Sequence, residues 1–182
     1  MADRHSPETP VEVCRRRRLS ILNTRGWIGL AVRLAVITLA VWILFSQVFV
    51  LTQCEGMGMF PAIEDGDLIL GYRLHTDYQK NDVVIYRRGE AVYLGRISAL
   101  ESDLVMMDES GLYTVNGTTQ SGEILYPTYA KEGIEYPYRV QEDEFFVLGD
   151  YRTQTQDSRD FGAIPREDIL GKVITIVRRR GV

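Results

Sequence analysis

Hydrophobic positions follow two different patterns along the chain, and the change comes at Thr52. From Leu34 to Leu51 the run LAVITLAVWILFSQVFVL carries no charged residue, and extending it back through Ile28–Val32 crosses only Arg33. A long arginine side chain can reach back to the interface from such a position. The run is long enough to span hydrocarbon, which takes about 20 apolar residues. A cleavable export signal would have an apolar region of roughly 7–15 residues ending at a small-x-small site. VFVLTQCEG offers no such site, so residues 28–52 read as an uncleaved transmembrane helix. Beyond Thr52 the spacing becomes two. DLILGYRL, DVVIYRR, AVYLGRISAL, DLVMMD, LYTV, FFVLGD and KVITIVRR are short runs rich in Val, Ile, Tyr and Phe, and they predict strands.

Turn residues punctuate those runs: Asp65-Gly66, Lys80-Asn81-Asp82, Arg88-Gly89, Ser110-Gly111 and Asn116-Gly117. LYTVNGTTQ predicts a hairpin with Asn-Gly at its tip. Asn116-Gly117-Thr118 is also a glycosylation triplet, but the turn explains it without further assumption. IPREDILGK predicts one short helical turn, opened by Pro165 and closed by Gly171. There is no repeat and no long amphipathic helix. The expected fold class is mainly β, with coiled antiparallel sheets behind one N-terminal helix.

Charge sets the orientation. Residues 1–52 hold seven Lys/Arg against three Asp/Glu, a surplus of +4, and residues 53–182 hold fourteen against twenty-two, a net −8. Arg15–Arg18, Arg25 and Arg33 precede the apolar run, so the positive-inside rule keeps residues 1–27 in the cytoplasm and exports residues 53–182. The four-arginine run is then a topology signal, and residues 1–27 form a disordered basic tail. The acidic exported part excludes a nucleic-acid binder, which needs a basic face. Two His and two Cys lie far apart, so no metal site or cofactor is expected. Cys14 and Cys54 fall on opposite sides of the membrane and cannot pair within one chain.

GMGMFPAIEDGD, Gly56 to Asp67, has the look of an active-site mouth, yet it holds no Ser, Thr, Cys, Lys or His. Two further blocks come after it in order: NDVVIYRRGEAVYLGRI and FFVLGDYRTQTQDSRDFGAIPREDILGKV. Together, over residues 30–177, the chain resembles bacterial type I signal peptidase, a membrane-anchored serine protease that removes signal peptides. Gly149-Asp150-x-Arg152 followed by Asp157-Ser158-Arg159-x-Phe161-Gly162 carries most of that resemblance.

The resemblance implies the signal peptidase I fold and a Ser–Lys dyad in place of Ser-His-Asp. Here the serine block reads Gly58-Met59-Phe60-Pro61-Ala62 and the lysine block Tyr93-Leu94-Gly95-Arg96-Ile97, so both catalytic positions are glycine. Ala62 replaces a further threonine. Gly56 matches the oxyanion-loop position, with Met59 and Pro61 in the same loop. Thr155 matches the hydroxyl that orients the lysine. Arg96, Asp150, Arg152, Asp157 and Arg159 match charged residues that brace the site. None of Lys80, Lys131, Lys172, His75, Ser98 or Thr155 lies where it can replace the dyad, and losing either dyad member costs on the order of 10⁶ in turnover. The implied function is a non-catalytic assembly or chaperone-like factor for exported or pilus proteins. Its expected partners are an exported precursor, a signal peptide or a pilin-like subunit, together with membrane lipid. The alternative is a signal-peptide-cleaving signal peptidase I inactivated by mutation of its dyad.

Overall fold

The computed structural model describes residues 10–120 and 126–178. The chain divides between Ser46 and Gln47 into two compact units. Most of the first is a single helix, α1 (Pro10–Val48). Within it Gly26–Val48 is long and apolar enough to cross a membrane, with a mean hydropathy of 2.4 and none of it buried. A helix that is apolar all round must be covered by protein or by lipid.

Two expectations need correction here. The basic segment expected to be disordered is helical from Pro10 onward, because Val11–Arg25 contains neither glycine nor proline and proline is well placed at a helix start. Its first part, residues 1–9, lies outside the described residues. The apolar segment also leaves the helix early. Phe49–Gln53 is strand β1, fixed by antiparallel pairing of Phe49 to Tyr72 and Gln53 to Leu68. The pairing of these apolar residues with a second strand outweighs the continuity of their hydropathy with the helix.

The second unit is built from antiparallel pairs throughout. After β1 come β2 (Leu68–Tyr72), β3 (Val83–Arg88), β4 (Ala91–Ala99), β5 (Leu104–Met107), β6 (Tyr113–Val115) and β7 (Thr118–Thr119). Then come β8 (Tyr138–Arg139), β9 (Glu144–Leu148), the one-turn helix α2 (Ser158–Phe161), β10 (Ile164–Pro165) and β11 (Ile169–Val177). One sheet has seven strands in the order β1-β2-β11-β3-β4-β9-β10, and the other has four in the order β7-β6-β5-β8. The mainly β, antiparallel class is as the strand pattern predicts. Asn116 and Gly117 both take positive φ, 52° and 76°, at the tip of the β6–β7 hairpin, the backbone a type I′ turn requires. The turn after Pro165 is a single 3-10 turn, Arg166–Asp168. It ends before Gly171, which lies inside β11, where a Cβ would come within 2.9 Å of the Tyr72 carbonyl oxygen.

The register of β4 leaves part of one edge open. β4 pairs with β3 along its whole first half, from Arg88↔Ala91 to Val83↔Arg96. It pairs with β9 only from Arg96↔Leu148 onward. The β9-side edge of Ala91–Gly95 therefore has no ladder partner among the described residues. Beneath this region lie two apolar clusters: Val50, Cys54, Met59, Ile63, Ile69 and Ile85 form one, and Tyr78, Val84, Tyr86, Ile97, Phe145, Val147 and Ile164 the other.

Candidate functional site

The loop after β1 is held by its own polar groups. Gly56, at φ 79°, donates its N–H to Asp65 Oδ1 at 2.7 Å. Asp67 Oδ2 accepts from the Glu64 N–H at 3.0 Å. Cys54 N–H donates to Asp67 O, and Cys54 O accepts from the Gly66 N–H. Met59 and Ile63 are buried in the cluster below and pin the turn. Gly58 sits between these anchors, with its carbonyl accepting from the Tyr151 N–H at 3.0 Å.

Thr155 stands directly over Gly58. A Cβ at Gly58 would lie 3.1 Å from Thr155 Oγ1, close but eased by a small shift. Thr155 is packed more tightly still on Gly149, where a Cβ would come within 2.6 Å of both Thr155 Cβ and Cγ2. The structure thus brings together Gly58 and Thr155, which lie 97 positions apart in the sequence.

Gly95 differs from Gly58. Two empty glycine positions lead one to expect a locally widened groove floor, and at Gly95 the floor is full. An added Cβ would collide with Val147 Cγ1 and lie 3.2 Å from Tyr86 Cε1. The cause is register: Ile97↔Val147 brings β9 alongside β4 here, and Tyr86 stacks on its cross-strand partner Tyr93 at 5.7 Å. Tyr86 is fully buried and its hydroxyl has no hydrogen-bond partner among the described residues. Burial, with a smaller contribution from Asp157, pushes that phenol well above its ordinary value.

The charged residues form two pairs and one exception. Arg96 grips Asp150 with both Nε (2.9 Å) and Nη2 (2.6 Å). Asp157 and Arg159 are each 1% exposed and meet at 2.8 Å. Asp157 also accepts from Gly149 N–H and caps α2, so this one carboxylate ties the end of β9 to the helix. Arg152 is equally buried but makes no ion pair among the described residues. It donates to Thr128 Oγ1 (2.7 Å) and lies over the Tyr113 ring. Burial lowers its pKa to about 10.

No substitute dyad is assembled among the described residues. Lys80 pairs with Asp103, Lys172 with Asp82, and Lys131 with Asp160. Lys131 comes nearest the site: its Nζ also donates to the Thr155 carbonyl at 2.5 Å. Nothing in the sequence marks that contact, because Lys131 lies 24 residues upstream in an irregular stretch. Its ammonium clamps the loop and is committed to two acceptors. Ser98 is turned away and donates to Tyr113 Oη at 2.6 Å. His75 contacts the Asp77 carbonyl. Cys54 lines the site, but burial, then Asp65, Asp67 and Glu55, push its thiol up, and the protonated thiol is a poor nucleophile. Among the described residues no group of His, Cys, Asp and Glu is arranged to hold a metal.

These elements enclose a groove of about 470 Å³. Residues 52–59 form one wall, residues 90–94 with the open edge of β4 the other, and Gln154–Gln156 close one side. Fold and site define a helix-led antiparallel β protein with a strand-edged groove that has Gly58 in one wall and no lysine among its lining residues. Residues 27–178 match the family described as signal peptidase, peptidase S26, and the chain belongs to that family. A signal peptidase I of Bacillus caldolyticus is 30% identical over 135 residues, covering 65% of this chain and 74% of that protein. An inactive signal peptidase IA of Staphylococcus aureus is 24% identical over 156 residues, covering 77% and 86%. A probable signal peptidase I-2 of Synechocystis is 29% identical over 129 residues, and the chain spans 56% of that relative's length. A crystal structure of an Enterococcus faecalis signal peptidase I superposes with a TM-score of 0.45 at 24% identity, covering 55% of this chain and 98% of that one.

Proposed function

We propose that this chain is a non-catalytic signal peptidase I-like protein. In this reading it is anchored by residues 26–48, with its β unit on the outer face of the membrane, and holds an extended segment of an exported precursor or pilin-like subunit. The observation that carries the reading is Gly95. The lysine position has no side chain, and Val147 and Tyr86 take up the space beside it. A gap would suit a recently emptied enzyme, whereas a filled position suits a site that has no use for a base. Gly58 removes the nucleophile, all three lysines are ion-paired, and the thiol of Cys54 is held protonated. The inactive Staphylococcus aureus relative is a precedent within the same family.

What survives is a means of gripping a chain. The free edge of Ala91–Gly95 offers main-chain donors and acceptors to an added strand, and strand addition needs no dyad. The test is purified full-length protein in detergent with a labelled signal-peptide substrate, binding and cleavage being read separately. Binding without cleavage is expected. Cleavage at a small-x-small site that disappears on heat denaturation would overturn the reading. Protease added to intact protoplasts should remove the β unit. Its protection would reverse the proposed orientation, which rests on the arginines before residue 34.

A further inference from the structure

The groove has a chemical bias that its strand edge does not explain. Its walls bring together two glutamates, Glu55 after β1 and Glu90 ahead of β4. Among the described residues no Lys, Arg or His lines it. Neither glutamate takes part in an ion pair among the described residues, and both are exposed. The remaining lining is neutral, with Met57 and Val92 as exposed apolar side chains. The dyad lysine, the one cation the resemblance places there, is glycine in this chain. Residues 53–182 as a whole carry a net −8.

We propose that the groove selects extended segments carrying a lysine or arginine among apolar residues, a preference that rests on the reading of the groove as a peptide site. Main-chain bonding along β4 fixes the direction and register of the bound strand, and its successive side chains then point to opposite faces of the sheet, so every second one faces into the cleft. A basic side chain in that strand meets a cleft with carboxylates on both walls and no cation among its lining residues, the nearby Lys131 ammonium being paired with Asp160. A cleft lined by one sign of charge concentrates the potential and raises the local concentration of the opposite charge. An acidic side chain at the same place meets like charge and loses affinity. Exposed single ion pairs contribute a factor of about two to five. Two carboxylates acting on one ligand charge should therefore separate basic from acidic peptides by about 10-fold.

The test uses the full chain in detergent and a set of short labelled peptides of alternating valine and threonine, identical except for one central residue: lysine, norleucine or glutamate. Affinities are measured by fluorescence anisotropy at low and at physiological ionic strength. The lysine peptide should bind about 10-fold tighter than the glutamate peptide, with norleucine between, and salt should narrow the spread. In Glu55→Gln/Glu90→Gln, with thermal unfolding unchanged, the three affinities should converge. Equal binding of the three peptides by the parent, or a preference that survives the double substitution, would overturn the charge selectivity while leaving the groove a peptide site. Failure to bind any of the peptides would overturn both.

Discussion

Val147 Cγ1 lies where a side chain at Gly95 would begin, so the two residues share one volume across the β4–β9 ladder. Gly95→Ala should then cost about 1–3 kcal/mol, the usual range for forcing a methyl group into a packed core. The penalty comes from overpacking, because Gly95 takes no positive φ. Val147→Ala in the Gly95→Ala background should recover much of it, since the two substitutions touch and cannot be additive. Urea unfolding of the parent, both single variants and the double variant measures the coupling. Simple additivity would mean that the valine is not what fills the position.

Arg152 and Arg159 are equally buried and should respond in opposite ways. Arg159 neutralises Asp157 at 2.8 Å, so Arg159→Met strands a buried carboxylate and should cost about 3–5 kcal/mol. Arg152 makes no ion pair among the described residues, and burial already weighs against its charged form. Arg152→Met keeps most of the packing over Tyr113 and removes a desolvated charge, so it should lie within about 1 kcal/mol of the parent or above it. Chemical denaturation of the two variants side by side decides the matter. Equal large losses would show that the hydrogen bond to Thr128 matters more than the burial of charge.

Contacts of this kind mark where local pattern stops being informative. Strands β2, β3, β4, β5, β6, β9 and β11 from Lys172 onward were legible because each alternates or runs apolar beside turn residues, and Asn116-Gly117 announced its hairpin. β1 was hidden because FVLTQ continues the hydropathy of the helix, and only its pairing with β2 separates them. β8 and β10 are two residues each, too short for any periodicity. At the site, the motif order located Gly58, Gly95 and Thr155 along the chain but carried no contacts. Lys131 on the Thr155 carbonyl, Asp65 on the Gly56 N–H and Val147 against Gly95 all join residues with no periodic relation to each other. They arise from tertiary packing, which the local pattern does not encode.

Alkaline pH should unfold the β unit. Tyr113 is buried with its hydroxyl bonded to Ser98, and burial pushes its pKa up to about 12. Tyr86 and Tyr136 are raised in the same direction, chiefly by burial. For a group whose folded pKa is raised, the native state holds its proton more tightly. Its contribution is complete below the unfolded value near 10 and declines as pH rises above it. Stability should therefore decrease steadily from about pH 10 to 12. Tyrosinate absorbance should show two populations, one titrating in the folded protein and one only as circular dichroism is lost. Smooth ionisation of all ten tyrosines with the fold intact would contradict the burial of these three.

Restoring the dyad should take three substitutions. Gly58→Ser alone supplies a hydroxyl beside Thr155, and the 3.1 Å approach is eased by a small shift. It has no base, because Lys80, Lys131 and Lys172 are all ion-paired, so it should stay inactive. Gly95→Lys alone drives a long side chain into Val147 and Tyr86 and should destabilise the unit without creating activity. In the double variant Gly58→Ser/Gly95→Lys the lysine still has no room, so its amine is displaced from the serine and the protein should remain inactive. Adding Val147→Gly opens the volume beside residue 95. The lysine can then lie in apolar surroundings that lower its pKa toward neutrality, as a general base requires. Only this triple variant should cleave a signal-peptide substrate, and weakly, because Ala62 leaves a further position of the family pattern unfilled. Cleavage by either single variant would sink the dyad requirement. Cleavage by the Ser/Lys double without the valine change would sink the claim that Val147 has closed the site.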